Sequence, residues 1–242
     1  GEGIGMLVLK RFDKAVQDGD RIYAVIRGIG TSSDGRSQSI YAPRSEGQAA
    51  ALRKAYASAD ITPDTVGLIE AHGTGTRVGD AVEFKGLCDV FDGHRRCALG
   101  SVKSMIGHTK AAAGTAGLIK AALALHHKVL PPTLKADPPD PQLEIDRSPF
   151  YLNTRSRPWL PDADTPRRAG VSSFGFGGSN FHVVLEEVAA EKTDIAWDAS
   201  VQIFALSADT PAELMQQLQV LMEDHRRNDG IPNRTVMAAR TR

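Results

Sequence analysis

His72 in EAHGTGT and His108 at the end of GSVKSMIGH are two imidazoles in loop-like segments, and Lys103 stands shortly before the second of them. Neutral imidazoles exchange protons and can hydrogen-bond an oxygen on which negative charge develops. A lysine ammonium near a histidine opposes a second positive charge and so holds the ring neutral. A third segment, SSFGFGGSN, contains Gly175, Phe176, Gly177 and Gly178. Such a glycine loop can turn its backbone amides toward an oxyanion and lets its aromatic residue move. Together the three segments suit acyl-thioester chemistry, which also needs a nucleophile. The sequence offers only Cys88 and Cys97. Cys88 falls in a helical pattern, AVEFKGLCDVF, and Cys97 opens a short apolar run, CALGSV. Neither has the tight strand-to-helix turn of an exposed nucleophile, so both read as buried structural thiols and this chain is expected to contain no nucleophile.

The elements that must position these residues alternate in type. VGLIEAHG reads as a strand that delivers His72 into a loop with Thr74 and Thr76 beside it. A helix follows near VGDAVEFKGLCDVF, then a strand CALGSV. A long small-residue helix is expected from about Thr109 to His127, putting His108 near a helix start, where the dipole favours a neutral ring. AGVSSF and FHVVLEE read as two strands joined hairpin-fashion by GFGG. Nearer the start, Gly1, Gly3 and Gly5 suggest a turn leading into a buried strand, MLVLKRF. FDKAVQDGD is then a short helix or turn, and RIYAVIRGIGTSS a longer strand. In SEGQ, Ser45 and Gln48 have the spacing of a capping box opening a helix. PPTLKADPPDP breaks regular structure. Strands alternating with helices predict a layered α/β architecture.

Composition narrows the class. In 242 residues Lys+Arg and Asp+Glu each total 29, so no net charge argues for nucleic acid or an anionic membrane. The apolar stretch AAAGTAGLIKAALAL is interrupted by Lys120 and falls short of the roughly 20 residues of a spanning helix. Two cysteines make no disulfide framework, and the start shows no signal-peptide pattern, so a cytoplasmic protein is expected. His94, His126, His127, His182 and His225 have no metal-ligand spacing, and no metal or nucleotide cofactor is implied. Residues 189–200, AAEKTDIAWDAS, read as a linker. From Val201 a strand and a helix introduced by Asp209, Thr210 and Pro211 look like the first unit of another domain, and the last residues are expected to fray.

EAHGTGT, GSVKSMIGHTKAAAG and SSFGFGGSNFH together resemble a β-ketoacyl synthase of the thiolase-like superfamily. The run from Gly100 through PPTL is similar to ketosynthase domains of multidomain polyketide and polyunsaturated-fatty-acid synthases. The resemblance implies a five-layer α/β/α/β/α fold of two similar halves. Residues 1–47 would end the N-terminal half, 48–188 form the C-terminal half, and 201–242 begin a linker domain toward an acyltransferase. It implies that His72 and His108 assist decarboxylation of malonyl carrier protein, with Lys103 ordering His108. Thr74 and Thr76 would contact the phosphopantetheine arm of an acyl carrier protein. Phe176 would be the gate and oxyanion residue together with Gly175, Gly177 and Gly178, and Asn180, in the loop that supports the gate, would be substrate-binding like Thr74 and Thr76. The implied partners are the acyl carrier protein, the missing half with its nucleophilic cysteine, an adjacent acyltransferase domain and a second copy in a homodimer. The absence of the nucleophile leaves two other readings open: a non-catalytic module that complements or binds a carrier, with Arg53, Lys54, Arg95 and Arg96 as its basic residues, or a malonyl decarboxylase variant.

Overall fold

Short apolar strands with side chains on alternate faces can be buried on both sides, and that alternation sets the layers of this chain. The structure is a computed structural model that describes residues 1–35, 42–93, 96–160, 165–175, 177–188 and 206–227. In order the elements are α1 (Phe12–Gln17), β1 (Val25–Ser33), α2 (Ser45–Ala59), β2 (Leu68–Glu70), α3 (Arg77–Cys88), β3 (Cys97–Gly100) and α4 (Lys103–Ile106). They continue with α5 (Ala113–His127), β4 (Val129–Leu130), β5 (Phe150–Leu152), β6 (Arg157–Pro158), β7 (Arg168–Gly175), β8 (Ser179–Glu186) and α6 (Pro211–Arg227). The chain divides into two compact units, Gly1–Ala190 and Glu191–Arg242.

The first unit is built on a six-stranded sheet of order β1-β8-β7-β2-β3-β5, in which β7, β2, β3 and β5 run parallel and β8 is antiparallel to both its neighbours. Ile69 and Leu99 face a core shared with Leu52, Tyr56, Phe84 and Leu87 of α2 and α3. Leu68, Ala98, Ala169 and Val171 face the opposite core with Ala121, Ala124 and Leu125 of α5. Helices therefore cover both faces, as a mostly parallel sheet requires. β1 reaches α2 closely because it carries glycine: a Cβ on Gly30 would lie 2.0 Å from the Ala51 carbonyl oxygen.

Several elements differ from the sequence expectation. Residues 6–11 join no sheet, and Ile4, Met6 and Val8 are 97%, 88% and 98% exposed. The preceding glycines make close contacts from the end of α4 to the start of α5 in place of a turn: a Cβ would meet the Ile106 carbonyl oxygen at 2.6 Å on Gly1, Thr109 at 3.2 Å on Gly3 and Thr115 at 2.6 Å on Gly5. Of RIYAVIRGIGTSS, only the part from Val25 pairs, because β8 ends at Glu186. Ser45 is the first helical residue and not the cap; Arg44 holds that position without a side-chain bond to the helix amides, and the Arg44 amide is satisfied by Asp34 Oδ2 at 3.3 Å. The helix expected from Thr109 begins at Ala113, after a 3₁₀ turn at Lys110–Ala112, because Lys110 has φ 53 and its amide turns back to His108. Strands β4, β5 and β6 have two or three residues each, too short for periodicity to reveal, and their pairing is supplied from β3 and from each other.

In the second unit α6 starts as expected, with Pro211 in its first turn. Thr210 and Glu213 form a reciprocal capping box, the Glu213 amide donating to Thr210 Oγ1 at 3.3 Å and the Thr210 amide to Glu213 Oε2 at 3.2 Å. The expected linker at 189–200, the beginning of the strand from Val201 and the final residues from 228 lie outside the described residues.

Candidate functional site

Because β7, β2 and β3 are adjacent and parallel, their C-terminal ends open at one edge of the sheet. β2 releases His72 there, β3 releases the segment carrying Lys103 and His108, and β7 releases the glycine turn. Crevices outside the carboxyl ends of parallel strands are where such sheets build sites. The three motifs, far apart in sequence, thus converge for a topological reason.

The His72 and His108 rings pack edge to face with centroids 5.5 Å apart. Burial is the main influence on His72; with the Lys103 charge and His108 beside it, its pKa is lowered to about 3. The ring is neutral at physiological pH, and its buried Nδ1 has no hydrogen-bond partner among the described residues. His108 is more exposed, and its pKa is also lowered, by desolvation first and then by Lys103. Its Nδ1 accepts the Lys110 backbone N–H at 3.0 Å. Nδ1 is therefore the unprotonated nitrogen, and the neutral ring carries its proton on Nε2 as a donor. Protonating Nδ1 would break that bond, which further favours the neutral form.

Two buried carboxylates brace these loops, and sequence reasoning gave neither a role. Glu83 of α3 accepts the backbone amides of His72 at 2.7 Å and Gly73 at 2.8 Å. Burial raises its pKa to about 7 against the opposing effect of those bonds. Glu70, the last residue of β2, accepts the Val102 amide at 2.5 Å and the Lys120 ammonium at 2.7 Å. Lys103 lies near both carboxylates; burial lowers its pKa while Glu83 and Glu70 oppose that shift. Glu70 stands inside the EAHGTGT motif, and only its position two residues before His72 marked it.

Thr74 and Thr76 are exposed at the opening, with their hydroxyls 3.0 Å apart. Thr76 also caps α3, its Oγ1 accepting the Gly79 amide at 3.2 Å, a bond that holds the His72 loop to the helix. In the turn after β7, Gly178 donates to the Gly175 carbonyl at 3.2 Å, and Gly177 and Gly178 have φ values of 85 and 77. Phe176 lies outside the described residues. Phe174, which sequence reasoning left unassigned, tilts against His72 at 5.9 Å between ring centroids.

Asn180 is 1% exposed and lies beneath this turn. Its Nδ2 donates to Asp34 Oδ1 at 2.7 Å, and the Asp34 amide donates to the Gly178 carbonyl at 2.9 Å. Asn180 is thus a support of the loop, and Asp34 is a second support that no local pattern revealed.

Neither cysteine joins the histidines. Cys97 starts β3 at the opposite end of the sheet, and Cys88 ends α3, about 18 Å along the helix from its start beside the site. Cys97 is buried, and burial raises the Cys88 pKa. Among the described residues no three His, Cys, Asp or Glu side chains gather as metal ligands, and no helix is long and apolar enough to cross a membrane.

Residues 23–137 match the family described as the β-ketoacyl synthase C-terminal domain, and residues 139–240 match the ketoacyl-synthetase C-terminal extension. The chain is 53% identical over 200 residues to a polyunsaturated fatty acid synthase polypeptide of a Thraustochytrium species, covering 79% of this chain and 7% of that protein. It is 45% identical over 239 residues to a phenolphthiocerol/phthiocerol polyketide synthase polypeptide of Mycobacterium tuberculosis, covering 95% of this chain and 16% of that protein. Among solved structures, ketosynthase twelve of the bacillaene polyketide synthase of Bacillus amyloliquefaciens superposes with a TM-score of 0.70 at 43% identity, covering 73% of this chain and 32% of that one. The chain therefore spans only a small part of these relatives, and its layered α/β fold is the thiolase-like fold of ketosynthases.

Proposed function

The chain belongs to the β-ketoacyl synthase C-terminal domain family with its C-terminal extension, and from that premise we propose that it supplies the decarboxylation machinery of a β-ketoacyl-[acyl carrier protein] synthase. The observation that carries this reading is the edge-to-face pair of neutral imidazoles at the ends of parallel strands, with the His108 Nε2–H free to donate. In the proposed reaction a malonyl group enters on the phosphopantetheine arm of an acyl carrier protein, past Thr74 and Thr76. His72 and His108 donate hydrogen bonds to its thioester oxygen. The bond from C2 to the carboxylate carbon breaks, carbon dioxide leaves, and the electron pair moves into a thioester enolate. C2 then attacks an acyl thioester held on a cysteine of the remaining ketosynthase, expelling the thiolate. Donors fixed before the reaction stabilise the enolate oxygen more than the ground-state carbonyl.

Lys103, between Glu83 and Glu70, adds positive potential that keeps both rings neutral. Phe176 is the proposed gate, with Gly175, Gly177 and Gly178 giving it room and Asn180 supporting the turn. The domain division is proposed as 1–47 for the end of the first half, 48–188 for the second half, 189–200 for a linker and 201–242 for the start of the segment toward an acyltransferase domain. The proposed setting is a cytoplasmic, homodimeric synthase.

The test uses the intact ketosynthase containing this chain. His72→Ala and His108→Ala are each expected to slow carbon dioxide release from malonyl carrier protein by roughly 100- to 1000-fold. Near-normal release in either variant overturns the assignment. Carrier binding with no turnover in the wild type would favour a binding module, and decarboxylation without carbon–carbon bond formation would favour a malonyl decarboxylase.

A further inference from the structure

We propose that Glu70 and Lys120 are a positioning pair for the decarboxylation step, with Glu70 tethering the backbone that carries Lys103 and His108 to the strand that carries His72. The inference rests on the proposed function and adds two residues that touch no reacting atom.

Glu70 is 1% exposed, an unfavourable place for a carboxylate unless its oxygens are satisfied. Each oxygen has one partner, from different elements: Oε1 takes the Val102 amide at 2.5 Å, and Oε2 takes Lys120 Nζ at 2.7 Å. Val102 immediately precedes α4, so this bond fixes where Lys103 starts. Lys120 comes from the middle of α5, and its side chain is 11% exposed. α5 makes room for the carboxylate with Gly117, where a Cβ would lie 3.1 Å from Glu70 Cγ. The same strand end therefore holds His72 and, two residues earlier, the anchor of the opposing loop. Glu83 tethers the other loop through the His72 and Gly73 amides, so each histidine-bearing segment is held by one buried carboxylate. A pair retained only for stability has no need of this arrangement, because apolar replacements of similar volume usually serve a core as well or better.

That contrast provides the test. Glu70→Gln alone strands the Lys120 ammonium, so two double variants of the intact ketosynthase carry the experiment. Glu70→Met with Lys120→Met keeps volume and removes the acceptor; Glu70→Gln with Lys120→Met keeps an amide oxygen for the Val102 N–H. The Met/Met variant is expected to lose about 10- to 100-fold in kcat for malonyl decarboxylation. Its KM and its rate of self-acylation by acyl carrier protein should stay within about threefold of wild type, since neither depends on the distance between the two histidine segments. The Gln/Met variant should recover most of the lost kcat. Wild-type decarboxylation in the Met/Met variant, no recovery in the Gln/Met variant, or an equal fall in self-acylation would each overturn the proposal. His72→Ala measured in parallel separates the two readings: unimpaired decarboxylation there removes the proposed function itself, whereas impairment there with active double variants removes only the positioning role.

Discussion

His182 has no exposed surface, and both ring nitrogens are occupied, Nδ1 with Ser172 Oγ at 2.9 Å and Nε2 with Tyr56 Oη at 3.1 Å. Burial pushes its pKa to about 3, below the ordinary 6.5. Its contribution to stability is therefore complete above pH 6.5 and is lost as pH falls toward 3, because the unfolded chain takes up the proton first. At pH 5 that loss is about 2 kcal/mol relative to pH 7.5. His72, with its pKa also lowered to about 3, acts in the same direction and Glu83, with its pKa raised to about 7, in the opposite one, so the wild-type profile alone mixes several groups. We expect the stability advantage of wild type over His182→Gln, measured by urea unfolding of the intact ketosynthase, to shrink by about 2 kcal/mol between pH 7.5 and 5. A constant difference would show that the ring does not titrate between the two states. At this scale His72, His108 and Lys103 were legible from residue type and setting. Asp34, Glu70 and Glu83 were not, because a lone acidic residue looks solvated until its distant backbone and side-chain partners are known.

At the scale of elements, the β7–β8 hairpin shows how a glycine turn divides its duties. Gly178 has φ 77, and a Cβ there would lie 2.6 Å from Asp34 Cβ. Gly175 has no positive φ, and a Cβ there meets nothing nearer than 3.6 Å. Gly178→Ala is expected to destabilise the domain by about 1–3 kcal/mol, while Gly175→Ala stays within about 0.5 kcal/mol of wild type. Equal costs in a denaturant titration of the intact ketosynthase would refute this account of the turn. The hairpin itself was readable, since two apolar runs flank GFGG. The break between His108 and α5 was not, because Lys110 adopts φ 53 to satisfy the His108 ring, a tertiary demand that overrides helix propensity.

For the whole molecule, the telling feature is apolar surface at the start of the chain. Ile4, Met6, Val8 and Leu9 are 97%, 88%, 98% and 71% exposed, and residues 6–11 join no sheet. Covering a few hundred Å² of such surface is worth several kcal/mol at about 25 cal/mol per Å². An unpaired apolar strand also invites pairing with another chain. Expressed by itself, this chain is expected to self-associate, and to become monodisperse when the remaining part of the ketosynthase is supplied. Size-exclusion chromatography with light scattering checks this, and a monomeric chain with no binding of a hydrophobic dye would contradict it. The exposed Ile4 and Met6 alternate with Gly3, which lies on Thr109, and Gly5, which lies on Thr115, so the segment is seated through its glycines and bare at its apolar side chains.

By itself the sequence determined the alternation of strands and helices, the three chemical motifs and their order, because periodicity, glycine content and residue type are local properties. It also marked Cys97 as a buried thiol, from the same local patterns, whereas Cys88, expected to be buried too, is only half-buried at the end of α3. Only the tertiary structure decided that β2, β3 and β7 end side by side, since parallel pairing joins residues about 30 to 100 positions apart and leaves no local trace. It likewise decided the tautomer of His108 and the burial of Glu70, Glu83 and Asn180, because a proton's position and a carboxylate's desolvation depend on which groups the fold brings within hydrogen-bonding distance.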